Sequence, residues 1–136
     1  MRAAVLLMCG AGMVSGCAAP PTACLLPRQT RTVKVDLYFG RDVEGRAPVS
    51  DAEWADFART EITPRFPDGF TVVDARGQWL NPRTQLIGGE ATKLVEIAAP
   101  DGAKTAMGVE AISQAYRVRF HQDSVGVTSV DVCAAF

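Results

Sequence analysis

The sequence predicts one α+β domain in the order β-α-β-β-α-β, and three observations carry that reading. Strand-type alternation with a period of two recurs along the chain, helix-type apolar stripes interrupt it twice, and turn residues separate each run from the next. Two strand–helix–strand units most commonly close as the ferredoxin-like sandwich, a four-stranded antiparallel sheet with two helices on one face. The other face of such a sheet is left exposed, covered by the N-terminal arm, or buried against a second copy of the chain.

Each element has its own justification. Val33, Val35, Leu37 and Phe39 alternate with Lys34, Asp36 and Tyr38, which predicts a half-buried first strand opening the domain near Arg31. Gly40 and the polar run 41–46 make a loop. Ser50 and Glu53 then have capping-box spacing, with Val49 and Trp54 at the positions of a hydrophobic staple. Trp54, Phe57, Ala58 and Ile62 give the first helix its apolar stripe, and Pro64 is expected to end it. Phe66-Pro67-Asp68-Gly69 is a turn.

Residues 70–80 read as the second strand, with a bulge expected at Gly77. Asn81-Pro82-Arg83-Thr84 turns the chain, and the third strand falls within 86–99, with a kink expected at Gly88-Gly89. Pro100-Asp101-Gly102 ends it. A second helix over 103–120 carries the stripe Val109, Ile112, Ala115 and Tyr116, with Gly108 expected to permit close approach to the sheet. The last strand begins near Ser124. Its valines change phase between Val127 and Val130, so a bulge at Thr128-Ser129 or two short strands is expected.

The N-terminus carries an address. Arg2 precedes an apolar stretch, residues 3–14, too short to span a bilayer and of the right length for a signal peptide. Val14-Ser15-Gly16-Cys17 reads as a lipobox, so cleavage before Cys17 and acylation of its thiol are expected. An ordinary secretory signal cut near Ala18-Ala19 is the alternative. Three acyl chains would hold the protein on a membrane essentially permanently, since each buried CH₂ contributes about 0.8 kcal/mol. Ala18, standing where an Asp would retain the protein at the inner membrane, directs it by the enteric sorting rule to the outer membrane, facing the periplasm. The chain therefore divides into a lipoprotein signal peptide (1–16), an Ala/Pro-rich tether (17–30) and one domain (31–136).

Composition narrows the partners. The formal net charge of the whole chain is −1, with no basic run, so nucleic acid is not an expected partner. With Cys9 removed and Cys17 lipidated, Cys24 and Cys133 remain in an oxidising compartment. A disulfide between them is expected, with two free thiols as the alternative. Neither has a His or Cys at metal-ligand spacing, so no metal is expected, nor any other cofactor.

No catalytic motif stands out. His121, the single histidine, follows the second helix and is read as a C-terminal cap, with a catalytic base as the alternative. The softer candidates for a cleft binding a small anion or sugar are Arg41, Arg65, Gln78, Trp79, Glu90 and Tyr116. Against them stands a reading in which Trp79 packs an edge, Glu90 pairs with an Arg and Tyr116 belongs to the core.

Leu37-Tyr38-Phe39-Gly40-Arg41, Ser50-x-x-Glu53-Trp54, the stretch from Thr63 to Val72 and Gly77-Gln78-Trp79 resemble a bacterial envelope family known as domain of unknown function 3574. Lys93, Ile112 to Tyr116 and Phe120-x-Gln122-x-Ser124-Val125 extend the likeness over about residues 31–136. The sequence departs from the pattern at Gly88-Gly89 and at His121, where Gly is usual. The resemblance implies a secreted or lipid-anchored domain without assigned activity. The expected function is therefore non-enzymatic: an anchored domain that binds an envelope protein or a small molecule. The alternative is a cofactor-independent enzyme on a dimeric ferredoxin-like scaffold.

Overall fold

The computed structural model describes residues 23–136 apart from residue 83. The expected signal peptide, Cys17 and the start of the tether lie outside the described residues, as does Arg83 in the turn after the second strand.

The chain forms β1 (Thr30–Gly40), α1 (Asp51–Phe57), β2 (Thr71–Leu80), β3 (Ile87–Ala99), α2 (Ala103–Phe120) and β4 (Gly126–Ala134). The strands lie in the order β2-β3-β1-β4, every neighbouring pair antiparallel. This is the ferredoxin-like arrangement, with each helix carrying the chain across one intervening strand.

The pairing Leu37↔Val95 fixes which residues share a face. Val35, Leu37, Phe39, Val95, Ile97 and Ala99 are in one phase and join the core with Trp54, Phe57, Ile62, Ile112, Tyr116 and Phe120. Both helices therefore cover the same face. Phe39, Phe57 and Tyr116 meet edge to face at centroid distances of 4.8 to 5.9 Å, a geometry that adds to simple burial.

The α1 start matches its sequence signals. Ser50 Oγ accepts from the Glu53 N–H at 3.2 Å, and a Glu53 carboxylate oxygen accepts from the Ser50 N–H at 2.8 Å. Val49 and Trp54, at the staple positions, are both buried. The helix end differs from expectation. α1 runs on as a π-helical turn over Ala58–Ile62, and Thr63 keeps right-handed helical dihedrals directly before Pro64. Its N–H reaches the Ala58 carbonyl at 2.9 Å, five residues back, so the ladder is already opened where Pro64 would fail to donate.

Three expected irregularities are absent. β2 pairs with β3 in unbroken register through Gly77↔Glu90, β3 is continuous through Gly88-Gly89, and β4 is continuous through Thr128-Ser129. The valine phase change in β4 reflects an edge strand with apolar residues on both faces: Val127 sits opposite core-facing Leu37, and Val130 opposite Lys34 on the other side. Gly108 makes room for the Phe66 ring, 3.1 Å from where a Cβ would stand, rather than for the sheet. His121 caps α2 in the left-handed region, φ 53° and ψ 43°, the conformation that makes glycine the usual residue at such a position.

Cys24 and Cys133 form a disulfide, with Cα atoms 5.6 Å apart. It ties the arm before β1 to the end of β4, closing a loop of 109 residues for which chain entropy predicts about 4–5 kcal/mol.

Candidate functional site

The open face of the sheet is defined by the opposite phase: Tyr38 and Gly40 on β1, Ala75, Gly77 and Trp79 on β2, Gly88, Glu90 and Thr92 on β3, and Gly126 on β4. Where β1 and β2 end and β3 and β4 begin, this face sinks into a solvent-open hollow of about 750 Å³. Its depth comes from missing side chains. The Trp79 ring lies over Gly88, 2.9 Å from a Cβ there, and the Tyr38 ring lies over Gly126 at 3.3 Å. The Glu90 carboxylate lies over Gly40 so closely that a Cβ would stand 2.5 Å from its oxygens. With those three groups leaning aside, Gly77, Ala75 and Thr92 are left as an almost bare floor.

Gly77 differs from the other three. A Cβ there would meet only the Thr92 hydroxyl at 3.6 Å, an ordinary contact, and its φ is not positive. Neither packing nor backbone conformation requires glycine, though a strand-interior glycine costs about 0.5–1 kcal/mol against alanine. What it preserves is open space. The rim opposite Trp79 is the segment 122–124, pinned where Gln122 Nε2 donates to the Asp42 carbonyl at 2.6 Å.

Glu90 is the chemically distinctive group. Its carboxylate accepts from the Asp42 N–H at 3.3 Å and has no ion-pair partner among the described residues. Burial raises its carboxyl above the ordinary carboxylate range, the Asp42 N–H opposes that shift, and the Asp42 charge adds to it.

Of the six residues singled out from the sequence, the structure brings Gln78, Trp79 and Glu90 together at the hollow. Tyr116 lies in the core on the other side of the sheet. Its hydroxyl donates to the Gly40 carbonyl at 2.8 Å, and burial pushes its pKa far above the usual tyrosine range. Arg41 Nε donates to the Val49 carbonyl at 2.6 Å, and its guanidinium meets Asp51 at 3.0 Å. Asp51 is shared with the buried Lys93, whose amine also meets Asp74, and this pairing lowers the Asp51 carboxyl. Arg65 bonds Glu61 in the helical layer. Sequence reading did not place Tyr38, Gly40, Asp42, Gly77, Thr92 or the 122–124 segment among the site candidates. For Tyr38, Gly40 and Gly77 the signal was present as small or aromatic residues in the outward phase of the strands.

Sheet order, helix placement and the open face together define an α+β sandwich of ferredoxin-like type. Within that class the chain belongs to the family described as Protein of unknown function (DUF3574), whose family model matches residues 34–136. Among curated proteins none matches the sequence. Of solved structures, a phage SAM lyase in complex with S-methyl-5'-thioadenosine superposes with a TM-score of 0.56 at 16% identity, covering 76% of this chain and 90% of that one. The phage SAM lyase in its apo state gives 0.53 at 17% identity, covering 78% and 92%. At such identity the likeness is one of fold.

Proposed function

We propose that this chain is a lipid-anchored envelope domain that binds a small organic ligand in the hollow on its open sheet face. The observation that carries the reading is Gly77, a glycine whose one evident consequence is the space above it. An aromatic wall, a carboxylate without a counter-charge and a floor of small residues match the general make-up of small-molecule sites. The lipobox ending at Cys17 supports the anchor, and the Cys24–Cys133 disulfide accords with an oxidising compartment.

The chain carries its own reporter. Trp79 is 47% exposed and Trp54 only 6%, so a change in tryptophan emission on ligand addition reads Trp79. The full chain in detergent is screened with a library of fragment-sized organic molecules. S-methyl-5'-thioadenosine is included because a protein of the same fold is solved with it. Binders are expected, and Gly77→Leu, with an unchanged melting profile, is expected to lose them. An absence of binders, or binding indifferent to Gly77→Leu, overturns the reading. For the anchor, Cys17→Ser should move the protein from the membrane to the soluble fraction; an unmodified Cys17 in native material overturns it.

One observation favours a second reading, a cofactor-independent enzyme. A carboxylate whose proton affinity is raised by burial in a cavity suits a general base. Turnover that vanishes in Glu90→Gln while binding persists distinguishes this enzyme from a carrier.

A further inference from the structure

We infer that the hollow selects an organic cation, whose charge rests against the Glu90 carboxylate and whose carbon substituents lie on the small-residue floor toward Trp79 and Tyr38. The inference rests on the reading of the hollow as a ligand site and adds the chemistry it recognises.

Carboxylates elsewhere in the domain set the contrast. Asp36, Asp51, Glu53, Asp56, Glu61, Asp74 and Glu96 each meet a Lys or Arg. The described acids outside these pairs are exposed to water, with one exception. Glu90 is half-buried and without a counter-charge, held from below by a single backbone N–H. A carboxylate removed from water without a cation is costly, and a ligand that brings the cation relieves that cost. Asp42 and Asp123 on the rim add charge of the same sign, against Arg76 alone of the opposite sign.

The remaining surface suits the substituents of such a cation. Trp79 and Tyr38 are 47% and 40% exposed on the same face, and aromatic rings attract alkylated cations that a carboxylate alone would not distinguish from a metal ion. An inorganic cation fits poorly. Hard divalent ions take six or more oxygen ligands, and among the described residues no group of three His, Cys, Asp or Glu is placed to hold a metal.

The test uses a matched pair of probes, choline and its uncharged carbon isostere 3,3-dimethylbutan-1-ol, titrated into the full chain with Trp79 emission and calorimetry as readouts. Choline is expected to bind about tenfold or more tightly than the alcohol, a difference of about 1.4 kcal/mol. In Glu90→Gln, checked by its melting profile, most of that preference should be lost, leaving the smaller part that the rings and the rim acids sustain. Equal binding of the pair by the native chain, a preference undiminished in Glu90→Gln, or no choline binding overturns the inference. If neutral fragments nevertheless bind and are lost in Gly77→Leu, the ligand site stands and only its charge preference falls.

Discussion

The two faces of the sheet are cut from the same four strands, yet they are finished by opposite rules. At the centre of the helix-covered face the large side chains are enclosed: Leu37, Phe39, Phe57, Ile97 and Tyr116 are all fully buried. Aromatic rings meet edge to face there, and the buried Lys93 amine is met by carboxylates. On the open face the large side chains lean away over glycines, a carboxylate stays without a cation, and Gly77 holds space that packing does not demand. Where a face serves stability its positions are filled. Where space and an unbalanced charge persist despite their cost, binding is the natural explanation.

Substitution should separate the faces most sharply at their apolar centres. Phe57→Ala removes a ring that touches Phe39, Trp54, Tyr116 and Phe120, and should cost about 3–5 kcal/mol in denaturant unfolding. Val73→Ala on the open face, where the side chain is 41% exposed, should cost less than about 1 kcal/mol. Similar losses from the two would mean the open face is packed in solution, as it would be in a dimer joined through the sheet. A concentration-dependent melting temperature would then identify the cover.

A smaller effect is expected at Tyr116, a side chain that links the faces. The Tyr116 hydroxyl reaches through from the core to the Gly40 carbonyl, directly beside the Glu90 carboxylate. Tyr116→Phe leaves that carbonyl without its donor and should cost about 1 kcal/mol. It should also weaken any ligand held by Glu90, measured as a fall in affinity at unchanged stoichiometry. Unchanged affinity alongside the stability loss would show that the covered face does not position the site.

The covered face was far more legible in the sequence than the open one, and the asymmetry is physical. A packed face imposes periodicity: Val35, Leu37 and Phe39, or Ile112 and Tyr116, recur at spacings that only burial explains. The open face is written in omissions. Gly77 and Gly88 interrupt β-rich runs and so read as a bulge and a kink, when both are regular strand positions beneath a cavity and a tryptophan ring. Arg41 and Tyr116 looked available because their types carry chemistry. Whether such groups are already engaged depends on tertiary partners, Val49 and Asp51 for one and Gly40 for the other, that sequence spacing does not reveal. Lys93 had the reverse problem. Its pairing with Asp51 and Asp74 depends on strand register, which patterning leaves open.

The smallest effect is the most specific to the open face, and its sign runs against the usual expectation for an acidic residue. Burial raises the Glu90 carboxyl above its ordinary value of 4.5, so the folded state holds that proton more tightly than the unfolded chain. The associated stability is present below the ordinary value and lost as pH rises through the raised one. Glu90→Gln, which carries no charge to desolvate, should therefore melt slightly higher than the native protein at pH 7. That advantage should shrink towards zero below about pH 4. An advantage that stayed constant across this range would place its origin in packing rather than in the charge. Saturating choline should reverse the order at pH 7, since a cation bound to the folded native chain stabilises it and finds no Glu90 charge to meet in the variant. The open face would then be least stable when empty and most stable when its charge is matched.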